Sequence, residues 1–389
     1  YMGMCAVIAC CMGGGGLISG LSLSQSIWAL IIGLLVLVFL YFVPLGKIGA
    51  EQGLNTYLIS ESAFGKQGSN LVTALVVTII PCVGWYGIEV TLASQAMTEV
   101  LHLGNTSFII LTIAFGILFA IPAMKGFNYM VWLDWISIPL IAFIVIFGFI
   151  KAVGVLGTEN LFIYQPTKNL GMFWGINLQI GMIAEGCAFV SDYSRWSKNE
   201  QSGIVKAGLV GLLPFTIILA IAGAVMAMTS VSLGVAQPWN IVQVMVALGL
   251  PSIALLLIFL LQWTTCILAD YSAGLALKKV FGGSRYWWTL IAAIIGTVLA
   301  ITGIINYFLE FLNILAIGIS PAVGIIIAEY YFVSKKRLVR KKGIYWPGMI
   351  SWFIASLIAW KFVFFIPAIN AVVLGGLIYY LFSIIIPVR

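Results

Sequence analysis

From Lys206 to Asp270 no charged side chain intervenes, and none precedes Lys47. Each of these stretches is long enough for two membrane crossings of about 20 residues. Charged residues normally make up about 25% of a globular chain. Here they are 8% of 389 residues, against 62% hydrophobic. Such a chain has too few charges to cover a soluble surface, so the composition specifies a polytopic membrane protein.

Apolar runs bounded by charges and turn residues predict twelve spans, at roughly 1–22, 27–46, 70–100, 106–124, 131–156, 171–193, 205–230, 240–277, 287–304, 308–333, 345–363 and 366–387. Pro238, Gly249 and Pro251 are set to break the eighth near its start. The net charge of +7 does not imply a nucleic-acid partner, because the basic residues sit in short loops between apolar runs. Sixteen of the nineteen fall after even-numbered spans or at the C-terminus, leaving Lys151, Lys168 and Lys361 for the other side. The bias of Lys and Arg toward the cytoplasm then places both termini inside the cell. The cluster Lys335 to Lys342 is sufficiently explained as a determinant of topology, with anionic lipid as its other possible use. All six cysteines lie in apolar runs without a Cys-x-x-Cys pair, and His102 is the only histidine. A disulfide framework or a zinc site is not expected. The start lacks the basic region of a cleavable signal peptide. Its first run begins unflanked at Tyr1, so a further N-terminal tail is expected in the full protein.

Glycines give the next level of organisation. Gly13 to Gly16 fall in span 1 and Gly181 and Gly186 in span 6, five spans later. Glycine-interrupted segments at corresponding places of two halves point to inverted repeats around a midplane site. The expected division is 1–156 and 171–333 as the two five-span repeats, with 345–389 as two further helices. The competing reading is that glycine lets membrane helices pack closely. Glu185, set between Gly181 and Gly186, favours an interruption, because a carboxylate at membrane depth must face protein, water or a ligand.

Two further spans carry polar groups. Trp85 and Glu89 are four residues apart and share one helix face. An aromatic plane beside an acceptor suits a flat heterocycle that stacks and donates N–H bonds. Thr264 and Thr265, joined by carbonyls of a broken helix, would offer hard oxygens to a small cation such as sodium. The alternative is that both hydroxyls bond back to their own helix. Cys266 and Asp270 are again four apart. Glu89, Glu185 and Asp270 cannot all ionise in one small apolar cavity without a neutralising cation, proton or substrate donor, which leaves sodium and proton coupling both open. Asn306, Glu310 and Asn313 form a stripe expected to be a gate or helix contact. Asp192 and Arg195 are expected in ion pairs with neighbouring loops, and Trp132, Asp134 and Trp135 in an interfacial belt.

At these residues the chain resembles the nucleobase:cation symporter-1 family, the cytosine, hydantoin and allantoin permeases. The resemblance is carried by 46–56 (GKIGAEQGLNT), 62–69 (SAFGKQGS), 84–87 (GWYG), 191–196 (SDYSRW), 263–265 (WTT), 320–324 (SPAVG) and 328–331 (AEYY). It implies an all-α membrane protein of twelve transmembrane helices, with a leucine-transporter-type five-plus-five inverted repeat and two extra helices. It also implies that Trp85 stacks on the substrate ring and that Glu89 falls where relatives place a substrate-binding amide. Cys266 and Asp270 match substrate-binding asparagines. Thr264 and Thr265 match a sodium site completed by carbonyls near Ala9, Met12 and Leu261. Relatives place an aromatic in the broken part of span 6, whereas 181–188 contains none and Glu185 occupies the neighbourhood of Gly181. A site rich in carboxylates favours a donor-rich substrate.

The expected function is secondary active import of cytosine, another aminopyrimidine or a purine by cation symport, sodium favoured and proton possible, through alternating access. The alternative is a proton-coupled permease for a related heterocycle such as hydroxymethylpyrimidine or allantoin. No enzyme motif or cofactor is expected. The partners are the small substrate and the lipid bilayer, with the protein acting as a monomer in the cell membrane. A channel would show a pore-lining repeat, which is not visible.

Overall fold

Long apolar runs without polar interruption leave each backbone to satisfy its own hydrogen bonds, and helix is the result throughout. The computed structural model describes residues 8–166, 168–197, 201–362 and 365–385; the side chains of 105, 127–138, 201, 253, 254, 257 and 260 also lie outside the description. The described residues form helices and connecting loops with no strand. In chain order these are α1 (Ile8–Ile18), α2 (Leu23–Gln52), α3 (Thr56–Val100), α4 (Asn105–Lys125), α5 (Phe127–Leu156), α6 (Met172–Ala188) and α7 (Ser202–Met228). They continue as α8 (Ile241–Ala247), α9 (Ser252–Phe281), α10 (Arg285–Ile301), α11 (Ile304–Val333), α12 (Trp346–Lys361) and α13 (Pro367–Ile385).

Each expected run coincides with one of these helices, and the eighth is divided as its turn residues require. Gly249 adopts φ +70° between α8 and α9, and Pro251 precedes the first residue of α9. Eight helices among the described residues are long and apolar enough to cross a bilayer, or nine if the bent pair α9 and α10 forms one span. The other two expected runs are α1, with 11 residues, and α12, with 16. The belt expected at Trp132, Asp134 and Trp135 lies outside the described side chains.

The chain divides into two compact units. The first comprises Tyr1–Ile31, Cys82–Gly175 and Pro214–Leu309. Its centre is a four-helix scaffold in which Tyr86 and Val90 of α3, Phe119 of α4, Phe259 and Cys266 of α9, and Ala293 of α10 form one buried cluster. Small residues bring these backbones together: a side chain on Gly87 would meet the Gly296 carbonyl, and one on Gly116 would collide with Thr297. α1 packs on α8 and α9.

The second unit comprises Ile32–Pro81, Ile176–Leu213 and Glu310–Arg389. α12 and α13 form a pair within it, and a strap of chain between α11 and α12 crosses the start of α3. That crossing is possible because Gly65 leaves helical geometry at φ +76°. The amides of Lys66 and Gln67 donate to the carbonyls of Lys341 (2.9 Å) and Gly343 (2.8 Å), while the Tyr345 amide donates to Phe64 (2.8 Å). Any side chain at position 65 would lie 2.6 Å from the Gly343 carbonyl.

The expected interruptions at glycine are not where the helices break. α1 runs unbroken through Gly13 to Gly16 and α6 through Gly181 and Gly186, its interruption falling at Phe189 and Val190. The glycines serve close approach instead. A Cβ on Gly14 would collide with the Ala220 carbonyl of α7, one on Gly223 with the Cys11 backbone, and one on Gly181 with the Leu312 carbonyl of α11. With a neighbouring backbone in contact, helical hydrogen bonding survives and the missing side chain is used for packing.

Candidate functional site

The first unit gathers most of the residues singled out above. α3 supplies Trp85 and Glu89 one turn apart, and α9 supplies Cys266 and Asp270 one turn apart. Glu89 is 0% exposed and Asp270 1%. None of their four carboxylate oxygens has a hydrogen-bond partner among the described residues. Leaving buried polar groups in that condition costs several kcal/mol, so native structures seldom retain it without a use. Cys266 lies within electrostatic reach of both carboxylates, and its Sγ is 4.0 Å from the Tyr86 carbonyl on α3. The α3 and α9 polar groups therefore form one neighbourhood.

Around it are an aromatic surface and a cation. Trp85 is 9% exposed and its indole meets Phe308 edge-on, with ring centroids 6.0 Å apart at 74°. Arg285, at the start of α10, acts electrostatically on Asp270. Its guanidinium is anchored by the carbonyls of Ala123 (2.7 Å) and Met124 (2.9 Å) at the end of α4 and covers the Tyr271 ring at 4.7 Å.

The proposed cation ligands also lie in this unit, on helices in contact. Thr264 Oγ1 donates to the Leu261 carbonyl at 2.7 Å and Thr265 Oγ1 to the same carbonyl at 3.4 Å. Donation leaves the hydroxyl lone pairs available, but the Leu261 carbonyl already receives two donors. Ala9 and Met12 lie inside unbroken α1, where carbonyls bond to the next helical turn. The free carbonyls expected of a broken helix are thus not provided at these positions.

Gly181 and Glu185 belong to the second unit, on α6. Gly181 packs against α11 as described, and Glu185 is buried at 7% exposure. Asp192 caps α3 by accepting from the Thr56 amide (2.8 Å), and Arg195 covers the Trp196 ring at 4.8 Å. In the same unit Asn313 accepts from Asn177 (2.7 Å), whose carbonyl oxygen accepts from the Ala368 amide (2.9 Å), so Asn313 makes a helix contact. Asn306, in the first unit, accepts from Gln237 (2.8 Å), and Glu310 is exposed.

Three features escaped the sequence reading. Gln262, four residues before Cys266, is 0% exposed with both amide atoms unpartnered among the described residues; its spacing from Asp270 was the available signal. Phe308 holds the Trp85 ring, a contact no sequence spacing reveals. The basic loop forms a network around buried carboxylates in the second unit, where Lys341 Nζ meets Glu329 (3.3 Å), Tyr379 donates to Glu329 (2.6 Å), and the half-exposed Arg340 pairs with Glu61 (2.7 Å).

Comparison with known proteins gives this arrangement its setting. The family described as permeases for cytosine/purines, uracil, thiamine and allantoin matches residues 1–384. The cytosine permease of Escherichia coli O157:H7 is 29% identical over 374 residues, covering 95% of this chain and 85% of the relative. The hydantoin permease of Microbacterium maritypicum is 23% identical, covering 90% and 76%. Among solved structures, Mhp1, a nucleobase-cation-symport-1 transporter closed around bromovinylhydantoin, matches with TM-score 0.78 at 18% identity, covering 98% of this chain and 89% of that one. A Na+-coupled sialic acid symporter matches with TM-score 0.66 at 14% identity, covering 99% and 89%. The relatives are permeases rather than enzymes, and this multi-pass membrane chain belongs to the cytosine/purine permease family.

Proposed function

We propose that this permease imports a nucleobase-like heterocycle rich in N–H donors, such as cytosine, another aminopyrimidine or a purine, together with a cation. The observation that carries this reading is the pair Glu89 and Asp270, two buried acceptors without a donor among the described residues, in the unit that also holds Trp85. A carboxylate can only accept when ionised, so a ligand offering amino and ring N–H groups complements the pair, and the indole can stack on its ring. Cys266 lines the pocket beside the two carboxylates, whereas Glu185 and Gly181, expected at the substrate from the sequence, belong to the second unit. Transport proceeds by alternating access between two five-span repeats, 1–156 and 171–333, with 345–389 as an addition and both termini cytoplasmic.

Sodium, held by Thr264 and Thr265 with backbone oxygens, is the favoured coupling ion. Supporting this are the solved relatives named above, one a nucleobase-cation-symport-1 family transporter and one a Na+-coupled symporter. Proton coupling through Asp270 or Glu185 is the second reading, and the continuity of α1 favours it, since Ala9 and Met12 then offer no free carbonyl. Uptake of labelled cytosine, adenine, hypoxanthine and hydroxymethylpyrimidine into proteoliposomes, under separate sodium and pH gradients, tests both. Saturable uptake driven by sodium and lost as sodium dependence in Thr265→Ala is the expected result. Uptake that follows only the pH gradient assigns the proton instead, and no saturable uptake of any base removes the substrate assignment.

A further inference from the structure

Gln262 has no role in the scheme above, although it is as buried as any residue of α9. Its carboxamide carries two donors and an acceptor, and neither Oε1 nor Nε2 has a partner among the described residues. A buried amide in that state costs a few kcal/mol unless it meets a ligand, an ion or water. Helix geometry locates it. At about 100° per residue, Gln262 projects about 40° to one side of Cys266 and about 60° to the other side of Thr265. On one flank stands Thr265, and on the other Cys266, the residue within electrostatic reach of Glu89 and Asp270. An amide can serve both flanks, since it offers an oxygen to a cation and N–H groups to an acceptor.

We infer that Gln262 is a positioning residue linking the cation site to the substrate pocket, its amide oxygen turned to Thr265 and its amino group to the Glu89 and Asp270 side. The inference rests on the cation-symport reading. Binding of either ligand orients the amide for the other, so each raises the other's affinity by the same factor. Deleting the amide removes that factor without removing either site.

The test uses the purified full chain, with cytosine as substrate probe and sodium replaced by choline as control. In the wild type, sodium alone raises the melting temperature and strengthens cytosine binding at least about fivefold. In Gln262→Met, binding of cytosine in choline persists while the sodium enhancement falls to near one. Gln262→Glu keeps length and an oxygen, so it retains stabilisation by sodium alone while losing cytosine affinity. A purely structural Gln262 would lower the melting temperature of both variants and leave the enhancement intact, which would overturn the inference. If Gln262→Met does not fold, a wild-type cytosine response to sodium in Gln262→Glu overturns it equally. A wild type whose cytosine binding ignores sodium overturns the inference together with sodium coupling, whereas uptake driven by pH in the same protein leaves the permease reading standing.

Discussion

Two regions of this permease bury carboxylates to the same depth and treat them in opposite ways. In the first unit Glu89 and Asp270, at 0% and 1% exposure, have no hydrogen-bond donor among the described residues. In the second, Glu329, also at 1%, receives Tyr379, Ser334 and Lys341, and Glu61, at 3%, receives Arg340. A satisfied buried network fixes structure, and an unsatisfied one is kept for something that arrives later. Burial holds the Lys341 ammonium below the ordinary lysine range, against the upward pull of Glu329. The pair therefore adds little net stability, yet removing one partner would strand the other charge.

This contrast predicts which substitutions harm the fold and which harm transport. The largest loss of stability is expected for Lys341→Met, at about 3 kcal/mol, because Glu329 is left without its counter-charge. A thermal melt would show it, and a melt unchanged from wild type would erase the distinction between the regions. Asp270→Asn should melt at or above the wild-type temperature, yet lose about 1.5 to 3 kcal/mol of substrate affinity, the worth of a hydrogen bond to a charged group. Equilibrium binding of cytosine checks this, and a drop in melting temperature with unchanged binding would place Asp270 with the structural group. Trp85→Ala should weaken binding by about 1 to 3 kcal/mol through lost stacking, with a smaller loss in Trp85→Phe. Least affected should be Lys336→Ala: its partner is Glu51 at 3.3 Å, but the lysine side chain is 54% exposed. A change in melting within about 0.5 kcal/mol is expected there.

How much of this was legible in the sequence depends on the kind of signal. Charge-free runs dictate helices because lipid leaves the backbone no other partner, and all twelve expected runs coincide with helices. Trp85 and Glu89, like Cys266 and Asp270, were readable because a four-residue spacing on a helix has only one geometric outcome. Glycine spacing has two outcomes, interruption or close packing, and the neighbour decides between them. Gly14 faces Ala220 and Gly181 faces Leu312, so close packing prevailed. The hydroxyls of Thr264 and Thr265 posed a similar choice, and both bond back to Leu261. Gln262 was overlooked because an uncharged amide raises no alarm in an apolar run; its significance comes from burial. The strap is hidden in the sequence because the basic residues of 335–342 fit a topology signal by themselves, while the partners Glu51 and Glu61 lie about 280 residues away and Glu329 sits inside the preceding helix.

The seam between α1 and α7 has a mechanical consequence. Where Gly14 rests on Ala220 and Gly223 on Cys11, main chain meets main chain with no flexible side chain between to absorb shear. Two rods joined so tightly must travel as a single lever, and a bulky residue at either glycine would wedge them apart. Whatever rearrangement carries cargo across the bilayer, its hinges have to lie beyond this joint.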